Sequence, residues 1–304
     1  MYDPNTLNPM VRIKGGRFLM GSDAHYPEEK PVRLVEVADF EIDPAVVTNQ
    51  EFSHFVSSTG YVTTSERALN PCWQPGMPSE YYVAGSLVFH MLSHPVKLTD
   101  PGQWWRFVPG AFWKHPEGPD STLTGRELHP VVHISYIDAQ AFAQWAGKAL
   151  PTEAQWEYAA NLAQSDRATA HIWDGEFPYR NEYSQTAPFT VPAHSRSEPP
   201  SGLHNMLGNV WEWTCDRFLT PTTQKNSCCA PKNDNPMPVL RVLKGGSHLC
   251  ADNYCLRYRP AARIGNDENY ASSHVGFRCI DAGASRRSAL PQSRQSLALC
   301  PHLT

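Results

Sequence analysis

Residues 129–160 read HPVVHISYIDAQAFAQWAGKALPTEAQWEYAA, and they carry the clearest local structure signals in the chain. The β-branched residues of 129–134 predict a short strand. Ser135 with Asp138, and Thr152 with Gln155, have the spacing of residues that cap a helix at its N-terminus. We therefore expect one helix over 136–146 and a second that begins after Thr152 and ends near Ala160. The first helix would turn one stripe of side chains inward: Ile137, Ala141, Phe142 and Trp145.

On the N-terminal side, residues 10–60 favour strands followed by another capped helix. Residues 17–20 form a short apolar run and 32–42 alternate like a strand. Thr48 and Glu51 repeat the capping spacing, and the helix they begin would end near Gly60 with Phe52, Phe55 and Val56 on one face. Residues 65–128 and 165–205 are rich in Pro, Gly and Trp, which predicts mainly ordered loops.

Composition limits the possible functions. The chain has 304 residues, 41% of them hydrophobic and 18% charged, with a net charge of -4. It has no basic excess for nucleic acid and no apolar run long enough for a membrane span. The N-terminus lacks the features of a signal peptide, so we expect a cytoplasmic protein. One domain over 1–282 would be followed by a flexible tail, 283–304.

Residues 245–259, GGSHLCADNYCLRYR, place two thiols beside several arginines. In a reducing compartment a structural disulfide is the less expected use of Cys250 and Cys255. Thiolates are soft ligands for copper(I) or zinc, and neighbouring cations lower thiol pKa values. Spacing alone leaves zinc and copper about even, and zinc could complete its ligand set from three further side chains. These are His248, His274 and Cys279.

Several segments in chain order resemble the formylglycine-generating enzyme family, also called the sulfatase-modifying factor family. They are GGRFLMG (15–21), VTNQEF (47–52), TGYV (59–62), WW (104–105), PGA (109–111), Trp113, HPVV (129–132), LPTEAQWE (150–157), GNVWEW (208–213), KGGS (244–247) and GFRC (276–279). The likeness extends over roughly residues 10–282. It implies an irregular α+β domain with little regular secondary structure, related to C-type lectin folds.

The resemblance also implies an activity, which is oxidation of a cysteine in a sulfatase to Cα-formylglycine. The substrate would be an unfolded or nascent sulfatase polypeptide with a Cys-x-Pro-x-Arg motif, oxidised with O2, copper and a thiol reductant. Cys250 and Cys255 match the family's Cu(I) ligands, and Ser247 matches a catalytic serine of the oxygen and substrate pocket. Tyr254 and His274 fall at substrate-contact positions.

Two arginines follow the second cysteine. We expect Arg257 and Arg259 to alternate on one strand face, where Arg257 would bind substrate and offset thiolate charge. A solvated surface or a structural ion pair with a carboxylate is an equal alternative.

The family likeness implies a Ca2+ site as well. Its ligands would be the side chains of Asn205 and Glu212 and the backbone carbonyls of Gly208 and Val210, an oxygen set that suits a hard cation. The alternative is that Glu212 pairs with a basic group.

Two other functions stay open. The chain could be a copper oxidase that acts on cysteine in a different peptide, or a non-catalytic, lectin-like peptide-binding module. Some paralogues in the family have lost the cysteines, and the presence of both here argues against the second.

Overall fold

Three α-helices, three one-turn 3-10 helices and twelve short strands form the regular structure of the computed structural model, which describes residues 9–68, 78, 81–163, 168, 170–187, 189–195, 201–219 and 239–283. The α-helices are α1 (Asn49–Thr59), α2 (Tyr136–Trp145) and α3 (Glu153–Leu162). The strands are β1 (Val11–Ile13), β2 (Gly16–Met20), β3 (Arg33–Val37), β4 (Phe40–Ile42), β5 (Gly85–Phe89), β6 (Trp105–Pro109), β7 (Lys148–Ala149), β8 (Trp211–Arg217), β9 (Leu240–Lys244), β10 (Arg263–Asp267), β11 (Val275–Gly276) and β12 (Ile280–Asp281). The irregular α+β fold is confirmed. Residues 284–304, nearly all of the expected tail, lie outside the described residues.

The strands form two four-stranded sheets and two separate hairpins. One sheet has the order β1-β4-β12-β7 and the other β10-β9-β8-β11, while β2 pairs with β3 and β5 with β6. In the first sheet β12 lies between two earlier strands, because Ile280 pairs with both Ile42 and Ala149. In the described part of the chain, none of the helices is long and apolar enough to cross a membrane.

All three predicted capping boxes are present. The hydroxyls of Thr48, Ser135 and Thr152 each accept a hydrogen bond from the backbone N–H three residues later, and each N3 side chain bonds back to the cap. The helices end within two residues of the predicted positions. In α2, however, Phe142 is the one member of the expected stripe that is fully buried, and Ala139 and Ala143 bury beside it.

One local prediction was wrong. Residues 129–134 do not form a strand, since only Pro130 makes an isolated bridge, to Thr48, and His133 has a left-handed backbone with φ 60°. Here tertiary contacts outweigh the local pattern. The segment 65–128, expected to be mainly ordered loop, also contains the antiparallel strand pair β5–β6.

Two aromatic clusters fill the interior. In the larger one Phe52 stacks on Phe142, whose ring meets Phe277 edge-on with centroids 5.3 Å apart. The second is centred on Phe89, which contacts Trp173, Phe177 and Phe189. The second cluster lies beneath the cysteine segment and positions the candidate site.

Candidate functional site

A double glycine after β9 turns the chain into the site. Gly245 and Gly246 have φ of 94° and 74°, a conformation that side chains other than glycine rarely adopt. A Cβ on Gly246 would lie 2.8 Å from the Arg257 carbonyl oxygen and 3.1 Å from Cys250 Sγ. The absence of a side chain here therefore lets the two halves of the cysteine segment approach each other.

The two cysteines meet through consecutive turns. Cys250 N–H donates to the Ser247 carbonyl at 2.9 Å, and Cys255 N–H donates to the Ala251 carbonyl at 2.9 Å. These turns place Cys250 Sγ 3.2 Å from Cys255 Sγ, in contact but without a disulfide. Cys250 is buried, whereas Cys255 is partly accessible. The pair therefore offers two convergent sulfurs, one of which faces outward.

The two thiols differ in acidity. Burial raises the pKa of Cys250 well above its usual value, and the neighbouring Cys255 adds to the effect. A hydrogen bond from the Cys250 thiol, opposed by burial and helped by Arg257, lowers the pKa of Cys255 to about 6. At neutral pH the arrangement is a thiol that donates to a thiolate, and the thiolate is the form that binds soft metals.

The arginines after Cys255 lie in an irregular segment rather than a strand, so the predicted strand face was wrong. Arg257 donates to Glu28 at 2.7 Å, and Arg259 forms a two-pronged pair with Glu29. The ion-pair alternative therefore describes both guanidinium groups. Arg257 also helps to lower the pKa of Cys255, and its expected roles in offsetting thiolate charge and in binding substrate stay predictions.

Ser247 and His274 are brought together as a hydrogen-bonded pair. Ser247 Oγ lies 3.1 Å from His274 Nδ1 and accepts a hydrogen bond from Leu249 N–H. Burial lowers the pKa of His274 well below its usual range, with the charges of His248 and His133 adding to the effect. His274 is therefore a neutral imidazole near pH 7, able to accept the Ser247 proton.

Tyr254 forms an aromatic surface next to the thiols. Its ring stacks on Phe177 with centroids 4.5 Å apart and meets Trp104 edge-on at 5.5 Å. Burial, followed by the charges of Cys255 and Cys250, raises its pKa to about 12, so it stays a neutral phenol. About a third of Tyr254 remains exposed, as does the neighbouring Leu256. An apolar peptide segment could pack there.

The zinc set suggested by spacing is not assembled. Among the described residues, no group of three or more His, Cys, Asp or Glu side chains is placed to hold a metal ion. Cys279 is buried beside Asp43 and Lys148, while His248 donates through Nδ1 to the Asn209 carbonyl. Of the side chains in that set, Cys250 and Cys255 are brought together, with their sulfurs 3.2 Å apart.

The proposed calcium ligands are only partly suited to a cation. Asn205 Oδ1 is buried and has no hydrogen-bond partner within the described residues, so this oxygen could accept a cation. Glu212, in contrast, receives two hydrogen bonds from Arg278, at 2.7 and 2.8 Å, and one from Trp156. This carboxylate is paired with a basic group, as the alternative predicted, and Ca2+ would have to compete with Arg278 for it.

Sequence reasoning missed the residues that hold the cysteine segment from behind. Tyr26, Glu28 and Glu29 lie about 230 positions away in the chain and contact Leu256, Arg257 and Arg259. Nothing local in residues 26–29 indicates these partners. The one indication in the sequence was the presence of three arginines in a single segment, since such a group of positive charges needs carboxylates nearby.

A family model and individual related proteins indicate the same family for this chain. The model of the sulfatase-modifying factor enzyme 1-like domain matches residues 2–282. The formylglycine-generating enzyme of Mycobacterium tuberculosis is 44% identical over 295 residues, covering 90% of this chain and 98% of that protein. A mouse protein named inactive C-alpha-formylglycine-generating enzyme 2 is 34% identical over 302 residues, covering 92% of this chain and 88% of its own.

A solved structure agrees at the level of the fold. The structure of PvdO from Pseudomonas aeruginosa superposes with a TM-score of 0.56 at 20% identity and covers 89% of this chain and 93% of its own. The family model and the level of identity to full-length relatives go further than the fold. The chain belongs to the sulfatase-modifying factor enzyme 1-like family.

Proposed function

We propose that this protein oxidises a cysteine in a Cys-x-Pro-x-Arg motif of a sulfatase to Cα-formylglycine. The observation that carries the proposal is the pair of sulfurs 3.2 Å apart, one buried and one partly accessible, in a chain similar to formylglycine-generating enzymes along most of its length. The substrate would be an unfolded or nascent sulfatase polypeptide, with O2 as oxidant and a thiol as reductant.

Cys250 and Cys255 would hold Cu(I). Two sulfurs, of which one is a thiolate near neutral pH, are the donors that this soft ion prefers. When bound, copper(I) would supply the one-electron chemistry that lets O2 oxidise a thiol. In the net reaction the substrate thiol, one O2, two electrons and two protons give the aldehyde, one hydrogen sulfide and one water. The two electrons come from the thiol reductant, which forms a disulfide.

The chain's own residues would orient the substrate and manage protons. Leu249 N–H occupies one acceptor site of Ser247 Oγ, which leaves the hydroxyl proton available for His274 Nδ1. The buried Ser247 is therefore held in a fixed orientation. Tyr254, supported by Phe177 and Trp104, would pack against the substrate peptide and limit the entry of water.

The test uses purified protein loaded with Cu(I), a synthetic peptide containing Cys-Thr-Pro-Ser-Arg, air and a thiol reductant. Mass spectrometry should detect replacement of the cysteine thiol side chain by an aldehyde. Conversion should be lost in Cys250→Ser and Cys255→Ser and after copper chelation. Cys215→Ser is the matched control, because Cys215 lies in β8 and outside the pair. Conversion that survives loss of either paired cysteine would refute the assignment.

The same assay separates the alternatives. Copper binding without conversion of this peptide would favour a copper oxidase with a different peptide substrate. Neither binding nor conversion would favour a lectin-like binding module, an option kept because a relative is named inactive. Both cysteines are present here, which favours the enzyme.

Calcium is a separate proposal. Asn205 Oδ1 supports it, since this buried acceptor has no partner within the described residues. Binding would require Glu212 to release or share Arg278. Because calcium would then bind the folded state only, added Ca2+ should raise the melting temperature.

A further inference from the structure

A short segment near the N-terminus, residues 26–29, lies across the loop that carries Cys255, and we call it the strap. Tyr26 Oη accepts a hydrogen bond from Leu256 N–H at 3.2 Å, and the Arg257 guanidinium lies 3.7 Å from the centroid of the Tyr26 ring. Glu28 accepts from Arg257 at 2.7 Å. The strap thus touches both residues that directly follow Cys255.

The strap is itself fixed to the rest of the protein. Glu29 is buried and pairs with Arg259 through both of its oxygens. Arg263 donates to the Glu28 carbonyl at 3.1 Å and also pairs with Glu153 of α3. Pairs that are bidentate and partly buried hold geometry better than exposed ones. The strap is therefore a rigid support and not a loosely attached segment.

We propose that Tyr26 and Glu28 are positioning residues for the thiol pair: they hold Arg257, and through it Cys255, so that both sulfurs converge on one point before any soft cation arrives. This inference rests on the proposed role of the pair. Preorganised ligands avoid the entropic cost of ordering a loop on binding. Outer residues that orient metal ligands typically change metal affinity by about 10- to 100-fold when they are removed.

The strap also explains why Arg257 carries an acidic partner. Alone, a guanidinium on a surface loop samples many rotamers and would spend only part of its time near Cys255. Stacked on Tyr26 and bonded to Glu28, it has one orientation. Loss of Glu28 should therefore weaken the site even though it removes a negative charge from near a thiolate.

Two probes test the proposal. The first is the Cu(I) dissociation constant, measured by competition with a chromophoric chelator. The second is phenylarsine oxide, which condenses with two adjacent thiols to give one dithiolate–arsenic unit and water, and which needs no copper chemistry. Release of the arsenical by dimercaptopropanol reports how well the two sulfurs are held together.

The variants are Tyr26→Ala/Glu28→Ala, the conservative Glu28→Gln, and the control Glu36→Ala. Glu36 of β3 forms an exposed ion pair with Arg17 of β2. The double variant should bind Cu(I) about tenfold more weakly and release the arsenical at about tenfold less dimercaptopropanol. Glu28→Gln should show a smaller loss, and Glu36→Ala none.

Equal arsenical release by wild type and Glu28→Gln, together with equal release by a folded double variant, would overturn the strap proposal. If the double variant does not fold, Glu28→Gln alone decides it. A wild type that binds the arsenical but not Cu(I) would refute the copper proposal, while the arsenical series would still decide the role of the strap.

Discussion

Histidines whose pKa values are lowered by burial make the folded protein sensitive to mild acid. Burial lowers the pKa of His133 to about 4 and that of His248 to about 3, and it lowers the pKa of His274 well below the usual 6.5. His133 Nε2 bonds the Pro116 carbonyl at 2.8 Å, and within the described structure its buried Nδ1 has no partner. A proton on Nδ1 would face no acceptor.

The direction in which stability changes with pH follows from proton uptake by the unfolded chain. Below the unfolded pKa of 6.5 the unfolded chain takes up a proton at each histidine, whereas the folded chain does not until the pH nears the lowered values. Stability is therefore present above 6.5 and is lost as the pH falls. From pH 6.5 to about pH 5, His133 and His248 each cost between one and two kcal/mol of unfolding free energy, and His274 adds to the loss in the same direction.

Other titratable groups also change how the unfolding free energy depends on pH. Burial raises the pKa values of Asp43 and Asp138, which favours the folded state as these groups protonate at lower pH. The lowered pKa of Cys255 acts mainly between its unfolded value of 9.0 and about 6, so measurements from pH 6.5 downward exclude most of it.

The assay is urea unfolding, followed by tryptophan fluorescence, at several pH values from 6.5 to about 5. His133→Gln and His248→Asn keep a donor near the Pro116 and Asn209 carbonyls but cannot titrate. Each should lower the slope of the unfolding free energy by about 1.4 kcal/mol per pH unit near pH 5. A loss below about 1 kcal/mol over the whole range, or slopes unchanged in both variants, would refute the reasoning.

Three further outcomes are expected. Gly246→Ala should lower the unfolding free energy by about 1–3 kcal/mol in urea titrations, because φ is 74° and the new Cβ would meet the Arg257 carbonyl oxygen; an unchanged midpoint would contradict this. Glu212→Gln should lower the unfolding free energy by about 3–5 kcal/mol, because it leaves Arg278 buried without its counter-ion. The same variant should abolish any rise in melting temperature on adding Ca2+. A rise that persists would exclude Glu212 as a ligand. Thr48→Ala should cost about 1 kcal/mol in the same titrations through loss of the α1 cap, and no change would mean that Glu51 alone satisfies the helix end.

Sequence patterns predicted the parts of the fold that depend on neighbouring residues. The caps at Thr48, Ser135 and Thr152 work over three residues, and all three are present. The strand expected at 129–134 failed because Val131 N–H donates to the Val47 carbonyl and His133 N–H to the Ser272 carbonyl. Hydrogen-bond partners this far away in the sequence cannot be predicted from the residue pattern of 129–134 itself.

In the site, too, residues close together in the sequence could be predicted and residues far apart could not. Ser247, Cys250 and Cys255 lie within nine residues, and two turns bring them together, so a motif could identify them. Tyr26 and Glu28 reach Arg257 across about 230 residues, and carboxylates are too common on surfaces to predict such a pair. The role of the thiols was predicted from the family resemblance, whereas the residues that support them are recognisable only in the three-dimensional structure.

The position of β12 has a consequence for biosynthesis. Ile280 fills the place between β4 and β7, so the N-terminal sheet stays divided until the ribosome has made nearly all of the described chain. The strap closes on residues 256–263 under the same constraint. Contacts of such long sequence separation slow folding and delay it past synthesis of the early strands. The edges of β4 and β7 that β12 covers are therefore open during synthesis, a stage at which chaperone binding would protect them from aggregation.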